Sequence, residues 1–185
     1  SPCKGRPWAA WWEDRNCRCR APDLCEDDWQ IWMLYTANTK EGASCIALAG
    51  TKDLRRWEDF GPILVGPNTG YEPKLEGGHG QGSLESAHLL RKGRKWYLLV
   101  KAAIRGSKIR NWVFTSDRVD RFDFSRGREF WRGALGIEIV KERGDRALLA
   151  TFGGGYLRFG EVNWADSEPT GSFITTAEAL KAWQG

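Results

Sequence analysis

A chain of 185 residues is the usual length of one domain, long enough to bury a real core but short for an architecture of many repeated sheets. Hydrophobic residues at 41% and charged residues at 28% argue against wholesale disorder. The net charge of +4 comes from 28 Lys and Arg against 24 Asp and Glu with the signs interleaved; the local basic clusters, Arg91 to Lys95 and Arg118 to Arg132, carry no nucleic-acid-binding motif, so nucleic acid is not an expected partner.

No apolar run reaches the length of a membrane span, and Ser1-Pro2-Cys3 has no signal-peptide character, so no membrane association is expected. The compartment is unknown from these residues, leaning secreted or periplasmic. Five cysteines, Cys3, Cys17, Cys19, Cys25 and Cys45, fall in the first quarter; the odd count leaves at least one thiol unpaired or paired outside the chain. Their spacing matches no zinc pattern and only two His residues occur, so neither a metal nor a cofactor is expected. Eleven Trp, eight Phe and four Tyr exceed what a core of this size needs. Packing between sheets absorbs most such rings, and stacking on sugar rings is a use for the excess.

In chain order, residues 1–20 are rich in Pro, Trp and Arg and read as irregular structure or an edge strand, since Pro2 and Pro7 lack ladder donors. From Asp23 the pattern is strand, acidic turn (Glu26-Asp27-Asp28), strand over 29–37, turn, and a third strand over 43–49. Thr51-Lys52-Asp53 opens a turn carrying Trp57, followed by a fourth, outer strand ending near Leu64. The same grammar recurs over Glu85–Leu90, Trp96–Ala103, Asn111–Ser116 and Phe122–Trp131, and a third time from Gly136 through Val162. Four strands per unit at a period of about 45 to 65 residues is the mark of propeller blades. The expected fold is therefore all-β and β-propeller-like, with about three four-stranded blades in one domain (roughly 20–65, 84–132 and 134–174), an incomplete or open ring. Thr175 to Trp183 reads as a short C-terminal helix with a Thr cap and an acidic first turn. The Gly- and Pro-rich stretch between the first two units, residues 66–83, reads as a long functional loop.

Two stretches carry a resemblance. Trp32-Met33-Leu34-Tyr35-Thr36-Ala37 with Ile46-Ala47-Leu48-Ala49-Gly50-Thr51-Lys52-Asp53-Leu54 and Trp57 through Gly61-Pro62-Ile63-Leu64 resembles a blade of the five-bladed propeller glycosidases, glycoside hydrolase families 43 and 32 and their relatives. Leu84-Glu85-Ser86-Ala87-His88-Leu89-Leu90 with Trp96-Tyr97-Leu98-Leu99 is similar to the blade that begins with the family's acid Glu. The likeness covers most of residues 20–166, partial or shortened relative to five blades. It implies glycosidic cleavage, in which one carboxyl group protonates the departing oxygen and an opposed carboxylate activates water or attacks.

On that resemblance Glu85 matches the general acid. The family's Asp-Pro element, whose Asp steadies the developing charge, falls on Arg20-Ala21-Pro22, and Asp23 is the adjacent candidate for that role. Only Glu13 and Asp14 precede Pro22 as acids, where the family's base or nucleophile would lie. Trp12, Arg20, His79 and Glu138 are the candidate substrate-binding residues: His79 lies in the Gly-rich loop, and Glu138 begins the third blade. His88, three residues beyond Glu85, should face away from it in an unbroken strand and reads as a core or edge histidine. The expected function is a glycoside hydrolase-like protein that acts on or binds a glycan, with a furanoside as the substrate class. The alternative is a non-catalytic carbohydrate-binding or structural propeller module. About three blades leave sheet edges to cover, so a homo-oligomer or association with a further chain segment is expected.

Overall fold

The structure is a computed structural model that describes residues 6–9, 20–27, 29–66, 84–102, 110–134, 136–153, 155–165 and 169–184. Trp12, His79, Cys3, Cys17, Cys19 and most of the loop 66–83 lie outside the described residues.

Among the described residues, twelve strands form three four-stranded antiparallel sheets, each a meander of sequence neighbours. The first contains β1 (Arg20–Asp27), β2 (Gln30–Asn38), β3 (Ser44–Thr51) and β4 (Glu58–Val65). The second contains β5 (Leu84–Lys92), β6 (Lys95–Ala102), β7 (Arg110–Ser116) and the two-residue β8 (Arg128–Glu129). The third contains β9 (Ile137–Arg143), β10 (Arg146–Gly153), β11 (Tyr156–Asn163) and β12 (Ser172–Ile174), and α1 (Thr176–Trp183) follows. The first strands β1, β5 and β9 pack against one another in turn, so they line a common axis and the later strands lie progressively outward. This is a β-propeller-like arrangement of three sheets with a short C-terminal helix.

Strand periodicity explains the layers. In the first sheet Trp32, Leu34, Ile46 and Leu48 point one way, onto Leu89, Trp96, Leu98 and Phe114 of the second sheet, forming the first seam. On the opposite side of the second sheet, Leu99 and Val113 meet Ile137, Ala147, Leu149 and Val162 of the third. The aromatic excess is spent largely in these seams: the Phe130 and Trp164 rings stack with centroids 5.7 Å apart and planes 3° off parallel. Trp131, fully buried, covers Gly160 and Gly171, where a Cβ would drive into its ring.

The stretch 122–131 departs from the strand expected of it. Asp123 accepts hydrogen bonds from the Ser125 amide and hydroxyl, which winds Phe124–Arg126 into a 3-10 turn and leaves only Arg128–Glu129 to pair with β7. Phe122 is thereby folded into the first seam, Phe130 and Trp131 into the second.

At the end of the molecule where β1 meets β2, β5 meets β6 and β9 meets β10, charged turns tie neighbouring sheets together. Arg91 pairs with Asp27 at 3.0 Å, and Lys92 with Glu142 at 2.9 Å. Lys92 Nζ also donates to the Gly144 carbonyl at 3.2 Å. The 91–95 cluster is thus in part a clasp between sheets.

Candidate active site

The three axial strands enclose a cavity of about 730 Å³. Its walls are residues 22–27 of β1, Ser86 to Arg91 of β5, and Glu138, Ile139 and Glu142 of β9. The lining is predominantly polar, with carboxylates of Asp23, Glu26, Asp27, Glu138 and Glu142 set around His88 and Arg91. Among the described residues no group of three or more His, Cys, Asp or Glu is placed to hold a metal ion.

β5 positions the central residues through a local irregularity. Its register against β6 runs regularly from His88↔Leu99 to Lys92↔Lys95, then shifts before Glu85↔Lys101. At that shift Ser86 has φ of 49°, a left-handed conformation costly for a residue with a Cβ. The bulge resets the inside-outside alternation between Glu85 and His88. His88 therefore faces the axis, with Nδ1 3.2 Å from Asp23 Oδ2 on the neighbouring strand. Strict alternation places it on the face opposite Glu85, at a core or edge position; a bulge of this kind leaves no composition signal.

Glu85 is 7% exposed, an unusual degree of burial for a carboxylate, and its Oε2 accepts a hydrogen bond from Lys101 Nζ at 3.2 Å. Lys101 stands directly opposite on β6, so sheet register supplies the pair. Glu85 and Asp23 are thus held by different partners: one by a lysine across the strand pair, the other by an imidazole across the seam. Glu138 is exposed at the axial end of β9 and reaches the cavity. Arg20 opens β1 with its Cα opposite Thr36.

Cys25 lines the cavity as well. Burial, reinforced by the charges of Asp23, Asp27 and Glu142, pushes its thiol up to about 12. It therefore carries almost no thiolate at neutral pH and is no nucleophile.

A second, smaller groove of about 360 Å³ shares Ser86, His88 and Glu138 with the axial cavity and continues onto the third sheet along Ala150, Thr151, Phe152 and Leu157.

No protein-family model matches the sequence, and no curated protein matches it significantly. Solved structures do match the fold. A structure reported with the finding that the family 130 mannoside phosphorylases contain glycoside hydrolases targeting β-1,2-mannosidic linkages in Candida mannan superposes with a TM-score of 0.61 at 14% identity, over 92% of this chain and 51% of that one. A family 43 glycoside hydrolase from Bacillus licheniformis gives a TM-score of 0.58 at 11% identity, over 84% and 31%. A family 117 glycoside hydrolase from the marine bacterium Zobellia galactanivorans gives 0.57 at 14% identity, over 88% and 57%. The chain thus has the β-propeller-like fold of glycoside hydrolases, and it spans between about a third and three fifths of the length of these solved chains.

Proposed function

We propose that this chain is a glycoside hydrolase-like protein acting on a glycan, a furanoside being the first substrate class to test. Glu85 is the general acid and Asp23 the carboxylate that steadies charge developing on the sugar. The observation that carries this reading is Glu85 itself: a buried carboxylate on the axial strand of the middle sheet, next to the strained Ser86. Strain of this kind is retained where surrounding structure over-determines it, and it gathers at functional sites. In this reading Glu85, which lies beside the cavity-lining Ser86 and is not itself among the lining residues, protonates the glycosidic oxygen, while Asp23, held in orientation by His88, lies on the next axial strand. Arg20, Glu138, Trp12 and His79 are proposed to bind the substrate.

A second reading, non-catalytic carbohydrate binding, is favoured by Ala21, which stands where the resembled family carries an Asp. Hydrolysis of a panel of aryl furanosides and pyranosides, with β-1,2-mannobiose included, separates the two. The hydrolase reading expects activity that falls by about 10²-fold or more in Glu85→Gln. Activity equal in the variant removes Glu85 from the mechanism, and saccharide binding without cleavage selects the binding module.

A further inference from the structure

We propose that the groove on the outward face of the third sheet is a saccharide subsite, with Phe152 as its stacking platform and Glu138 and His88 as its polar wall. The inference rests on the glycan-acting reading and adds to it a location and two residues, Phe152 and Leu157, that the axial cavity does not include.

Register places the groove. Phe152 of β10 is paired with Leu157 of β11, and Ala150 with Glu138 of β9, so these four residues share the face directed away from the second sheet. Phe152 is 65% exposed and Leu157 61% exposed, an apolar pair at the end of β10 and the start of β11. Along one side stand Ser86, His88 and Glu138, the three residues that also border the axial cavity. The groove therefore adjoins the candidate active site, with these three residues common to both.

Its chemistry selects the occupant. A sugar ring presents C–H groups on its faces and hydroxyls at its rim; Phe152 and Leu157 suit the former, and the Glu138 carboxylate accepts from the latter. His88 uses Nδ1 towards Asp23, which leaves Nε2 to meet a hydroxyl. A partner presenting only apolar side chains to this face would strip water from Glu138 and His88 and return no hydrogen bonds. An anionic polymer would meet Glu138 as a like charge. The volume of about 360 Å³ lies at the small end of the usual ligand-pocket range of about 300–1,000 Å³, suited to one end of an oligosaccharide.

The test is calorimetric titration of the whole chain with xylotetraose, arabinotetraose and mannotetraose, followed by Phe152→Ala and Glu138→Gln against whichever binds. The expected result is affinity weakened about ten-fold by Phe152→Ala and measurably by Glu138→Gln, with unchanged melting temperatures showing that both variants fold. Equal affinity in Phe152→Ala overturns the subsite, as does failure of the wild type to bind any of the three. A wild type that is dimeric by light scattering and turns monomeric on Phe152→Ala also overturns it, and assigns the face to self-association. The two readings fail separately. Phe152-dependent binding without aryl glycoside hydrolysis keeps the subsite and removes the hydrolase; hydrolysis with Phe152-independent binding does the reverse.

Discussion

The first and third sheets each have one face turned away from the second sheet, and the two faces are finished differently. On the first sheet the outward side chains of β2 and β3 are mostly small: Ala37, Cys45, Ala47 and Ala49 surround Tyr35. Their shallowness lets residues 6–9 lie flat on the sheet. Asp59 pins that segment, accepting from Trp8 Nε1 at 3.0 Å and from the Tyr35 hydroxyl at 2.8 Å, with Arg6 Nε at 3.4 Å. Gly61, at φ of 75°, passes beneath Trp8, where a Cβ would stand 3.4 Å from the indole nitrogen. On the third sheet only half of the outward face is covered. α1 buries Ala179 and Trp183 against Leu148, with Phe159 and Ile174 alongside, while Phe152 and Leu157 at the other end of the same strands stay open. One face is a closed cap; the other is part cap and part exposed surface. Small side chains mark a face for backbone contact, and large apolar ones mark it for a helix or a ligand.

The sharpest test of this contrast is Leu148→Ala beneath α1. It removes side-chain volume from a covered site and should cost about 2–5 kcal/mol in denaturant unfolding. On the first sheet the reverse substitution is the disruptive one: Ala47→Leu would lift residues 6–9 off the sheet and should cost about 1–3 kcal/mol. A neutral Ala47→Leu would show that the cap is loose.

Thr175→Ala should cost about 1 kcal/mol, because Thr175 caps α1 reciprocally with Glu178. The Glu178 carboxylate is held below its ordinary value of 4.5, chiefly by the Thr175 amide and then by the Thr175 hydroxyl. A carboxylate with a depressed folded pKa stabilises above its unfolded value. That contribution is therefore present at neutral pH and disappears as pH falls below about 4.5 through the folded value. Unfolding curves of Glu178→Gln should lack this component of acid sensitivity. The smallest effect belongs to the open half of the third sheet, where Phe152→Ser and Leu157→Ser should each change stability by less than about 0.5 kcal/mol. A loss comparable to that of Leu148→Ala would mean that this surface is covered in solution.

The sequence reveals these elements unevenly. The strands of the first sheet are legible because apolar residues alternate with a period of two between acidic and Gly-containing turns, as in Trp32, Leu34, Ile46 and Leu48. The helix is legible from Thr175 and Glu178, three residues apart and forming a capping box. Phe122–Trp131 is misread as a strand because its aromatic content mimics one. The hydrogen bonds from Asp123 to Ser125, and two seams competing for the rings, override that propensity. His88 is misjudged because parity arguments assume an unbroken ladder, and the bulge at Ser86 restarts the count. The partnership of Asp23 with His88 depends on two strands brought together only by the packing of sheets, which no local pattern encodes. Glu85 is recognisable through a resemblance, whereas its burial against Lys101 follows from register.

The meander topology has a consequence for how such a chain is assembled. Among the described residues every sheet ladder joins strands adjacent in sequence, so within each sheet loop closure is short and entropically cheap, and the order of pairing needs no distant partner. Among the described residues, contacts between sheets gather in the two seams, the Asp23–His88 pair and the Asp27–Arg91 and Lys92–Glu142 clasp. Such a fold is modular: gaining or losing a sheet alters seams and leaves every strand register intact.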